Sequence, residues 1–210
     1  MLNNFRLKEQ SSLRIDYNNC IIYFDPYLLY DEYDHDADYI FITHSHYDHF
    51  SPDDIISIKK DDTKIVIPYD LELEVKKIFS NENILLIKPD ENYIIDNIEF
   101  STVPAYNINK NYHRKEYNWV GYIINLDKTI YFAGDTDNIH EIRNIKCDIA
   151  CVPIGGTYTM DVYEAVELIE NIKPKIVIPI HYKTIVGSVN DAYKFKELLN
   201  NTTNVEILMR

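Results

Sequence analysis

The stretch Thr43-His44-Ser45-His46-Tyr47-Asp48-His49 sets three imidazoles and a carboxylate within six residues. Immediately before it, Tyr39-Ile40-Phe41-Ile42 is aromatic and β-branched and reads as a buried strand. Immediately after it, Ser51-Pro52-Asp53-Asp54 reads as a helix start, with Ser51 as N-cap, Pro52 at the first helical position and acid in the first turn. The histidines therefore belong to a loop that leaves the carboxyl end of a strand and enters a helix, a rigid edge on which a metal site can be preorganised. Imidazole and carboxylate suit zinc, manganese, iron or nickel without help from cysteine. His44 and His46, two apart in an extended segment, can face the same way and chelate one ion. Asp48 and His49, past the turn, can face a second. A histidine-rich surface loop is the plainer alternative, and four ligand-type residues in six behind a buried strand argue against it.

Working outward, strands are expected at Phe5–Leu7, Leu13–Tyr17 and Ile21–Phe24, ending at Asp25-Pro26, a turn signal. The acidic stretch Asp31 to Asp38 reads as a solvated loop, with His35 on the surface. A helix to about Lys60 is followed by a strand over Lys64–Pro68 and a helix over Leu71–Phe79. Strands return at Ile84–Ile87, Tyr93–Ile95 and Ile98–Val103, and Pro104–Tyr117 is a polar loop. Trp119–Leu126 and Thr129–Ala133 form a hairpin turning near Asp127-Lys128, then Gly134-Asp135-Thr136-Asp137 places carboxylates at a strand end. Ile149–Ile154 is a strand closed by Gly155-Gly156. Asp161 and Glu164 are spaced as a capping box for a helix with Val162, Ala165, Val166 and Ile169 on its apolar side. Pro174 stops that helix, and a strand over Lys175–Ile180 ends at His181. A helix over Asp191–Leu199 and a strand over Val205–Leu208 follow. Strands first, then strands alternating with helices in both halves, fit two sheets with helices outside, an α/β layered sandwich in one domain over residues 1–210.

Composition narrows the function classes. The chain has 210 residues, 46% hydrophobic and 26% charged, ordinary for a globular protein able to bury a core. A net charge of −13 argues against tracking along nucleic acid, which needs a basic face. It is compatible with a small anionic substrate, because bound metal reverses the local sign. No apolar run has membrane-spanning length, and Asn3, Asn4, Arg6 and Lys8 interrupt any signal-peptide pattern. Cys20, Cys147 and Cys151 are too few and too odd for a disulfide framework and suggest a reducing cytoplasm. Cys147 and Cys151 are four apart, yet they lie in a strand-like segment where a core role outweighs a thiol metal site.

In these residues the chain resembles the metallo-β-lactamase superfamily. The His-x-His-x-Asp-His signature is His44, His46, Asp48 and His49, and Gly134-Asp135-Thr136 and Ile180-His181-Tyr182 match the later motifs. The segment Val152-Pro153-Ile154-Gly155-Gly156-Thr157-Tyr158-Thr159-Met160 is similar to small metal-dependent hydrolases that include ascorbate-6-phosphate lactonase-like proteins. The resemblance implies a four-layer αββα sandwich and two divalent ions, zinc first, with manganese, iron or nickel as alternatives. It implies His44 and His46 on the first ion, Asp48, His49 and His181 on the second, and Asp135 between them. Where relatives often carry a histidine after Val-Pro-Ala-x, this chain has Asn107, and His113 is the nearest replacement on the first ion, with a surface role for His113, or Asn107 itself completing the site, as the alternatives. Gln10 stands where relatives often have histidine. Asp25 matches the family's buried acid and is a candidate partner for a ligand histidine, with a plain turn residue as the alternative. His140 falls outside the pattern and reads as surface.

The implied chemistry is attack by metal-activated hydroxide on an ester-type bond, phosphodiester or lactone, with Asp135 and Asp48 as the working carboxylates. Lys110, Arg114 and Lys115 gather near His113 and read either as a solvated loop or as a clamp for an anionic small molecule. Lys110, Arg114 and Tyr158 are the candidates for substrate contact. β-Lactamase activity is a poor expectation, since the resemblance leans to another branch. Two rivals are a redox metalloprotein, which a glutamate at position 46 or a flavin domain would favour, and a binding protein with a degenerate site, which Asn107 and Gln10 keep open. No nucleic-acid or membrane partner is expected, and a homo-oligomer is left open.

Overall fold

The computed structural model describes residues 2–29 and 35–209, and the chain divides into two compact units, residues 1–87 and 88–210. Of the acidic stretch 31–38, residues 31–34 lie outside the described residues, while His35 is exposed.

In the first unit β1 (Phe5–Leu7), β2 (Leu13–Tyr17) and β3 (Cys20–Phe24) form an antiparallel meander. β3 then pairs in parallel with β4 (Ala37–Phe41), β4 with β5 (Lys59–Pro68), and β5 with β6 (Ile84–Ile87). Parallel strands buried on both faces need continuous apolar runs, and Ile40-Phe41-Ile42 and Ile65-Val66-Ile67 supply them with no exposure. One face, with Tyr23, Ile40, Ile42, Ile65 and Ile67, packs against Ile55 and Ile58 of α1 (Pro52–Ile58) and Val75 of α2 (Glu72–Val75). On the other face Phe24 and Phe41 stack with ring centroids 5.1 Å apart. Truncating Ile40 or Ile65 to alanine in such a core costs about 2–5 kcal/mol.

α1 starts where the sequence signals it: the Ser51 hydroxyl accepts from Asp54 N at 3.4 Å, and Pro52 holds the first position. It ends two residues earlier than expected. Lys59 turns extended, and the Thr63 hydroxyl binds Lys60 N (2.6 Å) and the Ala37 carbonyl (2.5 Å), drawing residues 59–63 into β5. The helix expected over Leu71–Phe79 keeps a regular core only over Glu72–Val75.

In the second unit β7 (Asn92–Ile95), β8 (Ile98–Pro104), β9 (Val120–Asn125) and β10 (Thr129–Phe132) run antiparallel in sequence order. β10, β11 (Ile149–Pro153), β12 (Ile176–Ile180) and β13 (Asn204–Val205) continue the sheet in parallel. The parallel connections carry α3 (Val162–Ile172) and α4 (Val189–Leu198), which pack on each other. The capping box forms in full at Asp161 and Glu164, and Lys173 ends α3 in a left-handed conformation before Pro174. The buried side of α3 is Val162, Ala165, Leu168, Ile169 and Ile172, so the apolar stripe runs through Leu168 while Val166 is only half-buried. Glycine at 121 is required by packing: a Cβ there would sit 2.8 Å from the Ala133 carbonyl oxygen.

Candidate metal centre

In the first unit the loop leaving β4 doubles back at once, because the His46 carbonyl accepts His49 N (3.0 Å) and Phe50 N (2.8 Å). That turn brings ligand atoms of His44 and His46, of His44 and His49, and of Asp48 and His49 within 4.8 Å of each other. His44, Asp48 and His49 are buried, and His46 is half-buried.

Asp25, fully buried at the end of β3, organises this loop. Its Oδ1 accepts Thr43 N at 2.8 Å, and its Oδ2 accepts the Thr43 hydroxyl and His49 Nδ1, each at 2.7 Å. Having given its proton to Asp25, the Thr43 hydroxyl can only accept from His44 Nδ1, 2.9 Å away. Two rings are thus held by Nδ1, and Nε2 is the atom each turns to ligand duty, the arrangement by which metal-binding histidines are oriented. His44 Nε2 lies 3.1 Å from His46 Nδ1, and His49 Nε2 lies 3.6 Å from Asp48 Oδ2. Burial pushes the Asp25 carboxyl above its usual range, while the His49 ring and the Thr43 donors pull against that rise.

Gln10 is fully buried and donates from Nε2 to Asp48 Oδ2 at 3.2 Å. Its backbone is left-handed (φ 55°), as are those of Asp25 (44°) and His181 (55°). None of the three is glycine, and strain of this kind persists where surrounding bonds fix a side chain for use.

In the second unit Asp135 follows Gly134, whose φ of 63° makes the turn out of β10. Its Oδ2 lies 3.2 Å from His113 Nε2 and 3.1 Å from His181 Nε2, all three side chains being buried. The His181 loop approaches the end of β11 so closely that a Cβ on Gly155 would meet the His181 carbonyl oxygen and come within 2.6 Å of Val186. Asn107 accepts on Oδ1 from His113 N (3.1 Å) and Nδ1 (3.0 Å), so His113 too is anchored by Nδ1. Trp119 braces the ring edge-on at 5.6 Å. With Nδ1 held by Asn107, Nε2 is the His113 atom turned toward the Asp135 carboxylate, and the two are donors a cation could share. The donors are nitrogens and oxygens, all buried except those of the half-buried His46, with Nδ1 of His44, His49 and His113 fixed, and they fit a divalent metal of the zinc, manganese, iron or nickel kind.

Several residues lie apart from these groups. Lys110, expected at an anion clamp, gives its ammonium to Asp137 Oδ1 and the Thr159 carbonyl, both at 2.6 Å. Arg114 is exposed, and Tyr158 is half-buried with its ring edge-on to Tyr112 at 4.6 Å. Lys115 pairs with Glu141 at 2.7 Å, and His140 is exposed. Cys147 and Cys151 are free thiols. Sequence alone gives no role to Thr43 or Asp137, and it shows Asn107 as a departure from a ligand histidine rather than as the residue that holds one. The only available signal was polarity in positions flanking the motifs.

The β-lactamase superfamily domain family matches residues 5–181, from β1 through His181. The chain belongs to the β-lactamase superfamily. The superfamily relatives include the UPF0173 metal-dependent hydrolase of Nanoarchaeum equitans, 38% identical over 195 residues, covering 89% of this chain and 86% of that protein. Another is the UPF0173 metal-dependent hydrolase of Pyrococcus furiosus, 33% identical over 178 residues, covering 82% and 78%. Among solved superfamily structures, that of a candidate metal-dependent hydrolase from Parabacteroides distasonis has a TM-score of 0.84 at 30% identity, covering 98% of this chain and 93% of that one. The mixed α/β fold with two sheets and helices is accordingly that of the metallo-β-lactamases. Among the described residues no helix is long and apolar enough to cross a membrane.

Proposed function

We propose that this chain is a metal-dependent hydrolase acting on an ester-type bond, phosphodiester or lactone, of a small anionic molecule in the cytoplasm. The observation that carries this reading is the anchoring of Nδ1 on His44, His49 and His113 by Thr43, Asp25 and Asn107, which commits Nε2 of three buried rings to ligation. Following the family pattern, His44, His46 and His113 would hold one divalent ion, Asp48, His49 and His181 would hold a second, and Asp135 would serve both. Zinc is the first choice, and the same donors accept manganese, iron or nickel.

A divalent ion held in this way supplies a water that ionises near neutral pH and a positive centre for the developing oxyanion. The chain's own groups do the rest. Asp48, steadied at Oδ2 by Gln10, is the carboxylate assigned to receive the proton released during attack. Arg114 and Tyr158 are assigned to the substrate, Arg114 for its fork of donors to a phosphate or carboxylate. Lys110 shares that assignment with the one ammonium N–H left after its bonds to Asp137 and Thr159.

The test is metal analysis of the purified chain alongside hydrolysis of bis-p-nitrophenyl phosphate and a panel of lactones. Metal-dependent turnover that His46→Ala and Asp135→Ala each abolish is the expected result. Turnover surviving in both variants, or absent across the whole panel from metal-loaded protein, rejects the reading.

A further inference from the structure

Asp137 lies two residues beyond Asp135, is as deeply buried, and takes no part in the ligand group. We propose that Asp137 is a positioning residue that sets the orientation of the Asn107 amide and, through it, the ring and protonated nitrogen of His113. The proposal rests on His113 being a metal ligand, as argued above.

The hydrogen bonds leave the amide one orientation. Asn107 Nδ2 lies 3.1 Å from Asp137 Oδ1 and 2.8 Å from the Tyr158 carbonyl, and both of these atoms only accept. The nitrogen of the amide must therefore be on that side, and its oxygen must face His113. There it accepts His113 N at 3.1 Å and Nδ1 at 3.0 Å, which requires the proton on Nδ1 and puts the lone pair on Nε2, 3.2 Å from Asp135 Oδ2. An amide carries no charge to tell it which way to lie, so its direction is decided by its neighbours.

Asp137 is itself fixed from several sides. Its Oδ2 accepts Ile108 N at 2.9 Å, its Oδ1 also accepts Lys110 Nζ at 2.6 Å, and its own N–H donates to the Tyr106 carbonyl at 3.0 Å. The loop it grips is closed on the far side by Asn107 N donating to the His113 carbonyl at 2.7 Å. One carboxylate thus fastens the loop that carries the histidine and dictates the amide that orients it. Where a ligand histidine is commonly backed by a carboxylate in direct contact, here the carboxylate acts one amide further away. Lys110 offsets the cost of burying Asp137, so it supports the fold rather than the orientation.

The experiment measures zinc affinity of the metal-free full-length chain by competition with a chromophoric chelator, in Asp137→Asn, His113→Ala and the double variant. An asparagine at 137 cannot accept from the Asn107 amide, Ile108 N and Lys110 together, so the hold on the Asn107 amide is weakened and rests chiefly on the Tyr158 carbonyl. D137N is expected to weaken zinc binding about tenfold, the scale of a lost ligand orienter. In the H113A background the same substitution should change zinc affinity less than twofold, because its target is gone. Lys110→Met should lower the urea midpoint while leaving zinc affinity within twofold. Should D137N fail to fold, Asn107→Ala takes its place in the same cycle. Equal losses from D137N with and without His113, or no loss from D137N, overturn the inference. Zinc binding by H113A equal to that of the unaltered chain overturns the ligand assignment itself, and the positioning role with it.

Discussion

His49 Nδ1 and Asp25 Oδ2 meet at 2.7 Å where neither side chain has any exposure to solvent. Asp25 also takes the Thr43 amide and hydroxyl, and through that hydroxyl governs His44. Asp25→Asn keeps a residue at ease in the left-handed backbone but replaces an acceptor by a donor at His49, so zinc affinity should fall about 10–100-fold. Asp25→Ala leaves three buried donors without their acceptor and should lower unfolding stability by about 2–4 kcal/mol. Chelator competition and urea unfolding read the two effects, and D25N binding zinc normally would remove Asp25 from the site.

Gln10 combines a left-handed backbone with the bond to Asp48. Gln10→Ala loses the bond and keeps the backbone strain, whereas Gln10→Gly loses the bond and relieves it. The glycine variant should be the more stable of the two by about 1 kcal/mol, with turnover reduced alike in both. Equal urea midpoints would mean that the φ of this residue stores nothing.

Local pattern carried the sequence reading far. The Ser51-Pro52 start and the Asp161–Glu164 box are each written within a few adjacent residues, and each forms as read, while the His44–His49 run lies between β4 and α1 as its flanks indicate. Asp135 and His181 are legible at strand ends because Ile130-Tyr131-Phe132 of β10 and Ile176–Ile180 of β12 are buried apolar runs. What escaped depends on partners far along the chain. Asn107 looked like a missing ligand, and only its bonds to Asp137 and Tyr158, 30 and 51 residues away, reveal a holder of His113. Lys110 reads from sequence as either a solvated loop residue or a substrate clamp, and sequence does not show the carboxylate 27 residues on that binds its ammonium. The left-handed backbones at Gln10, Asp25 and His181 carry no glycine to announce them. Residues 59–63 join β5 through Thr63, a single side-chain anchor within a hydrophilic run that shows no strand alternation.

The α3 cap offers a stability test remote from catalysis. Asp161 accepts Tyr163 N at 2.8 Å and Glu164 N at 2.9 Å, and Glu164 returns a bond to Asp161 N at 2.9 Å. Asp161→Ala should cost about 1–2 kcal/mol and, for a chain of this size, lower Tm by about 2–8 °C. Zinc affinity should stay unchanged, and calorimetry with a chelator titration checks both. A normal Tm would show that the box contributes nothing to the native state.

Burial pushes the Cys147 thiol up to about 12, with the Asp148 carboxylate adding to the rise, and burial pushes the Cys151 thiol up as well, with Cys147 beside it. Neither forms an appreciable thiolate at neutral pH, so both should resist iodoacetamide in the native chain and react once it is unfolded. The stability consequence has a definite sign. Unfolded thiols ionise near about 8.5 while the folded ones keep their protons, so above that pH the native state binds more protons and stability falls as pH rises toward about 12. Each such thiol contributes a slope of up to about 1.4 kcal/mol per pH unit in that window. Urea unfolding at about pH 8 and about pH 10 should therefore show a steeper loss for the unaltered chain than for the Cys147→Ala, Cys151→Ala double variant. The alanines lower the starting stability by removing packed sulfur, but only the slope reports the thiols. Identical slopes, or fast alkylation of the native protein, would place these cysteines in contact with water and return them to consideration as reactive groups.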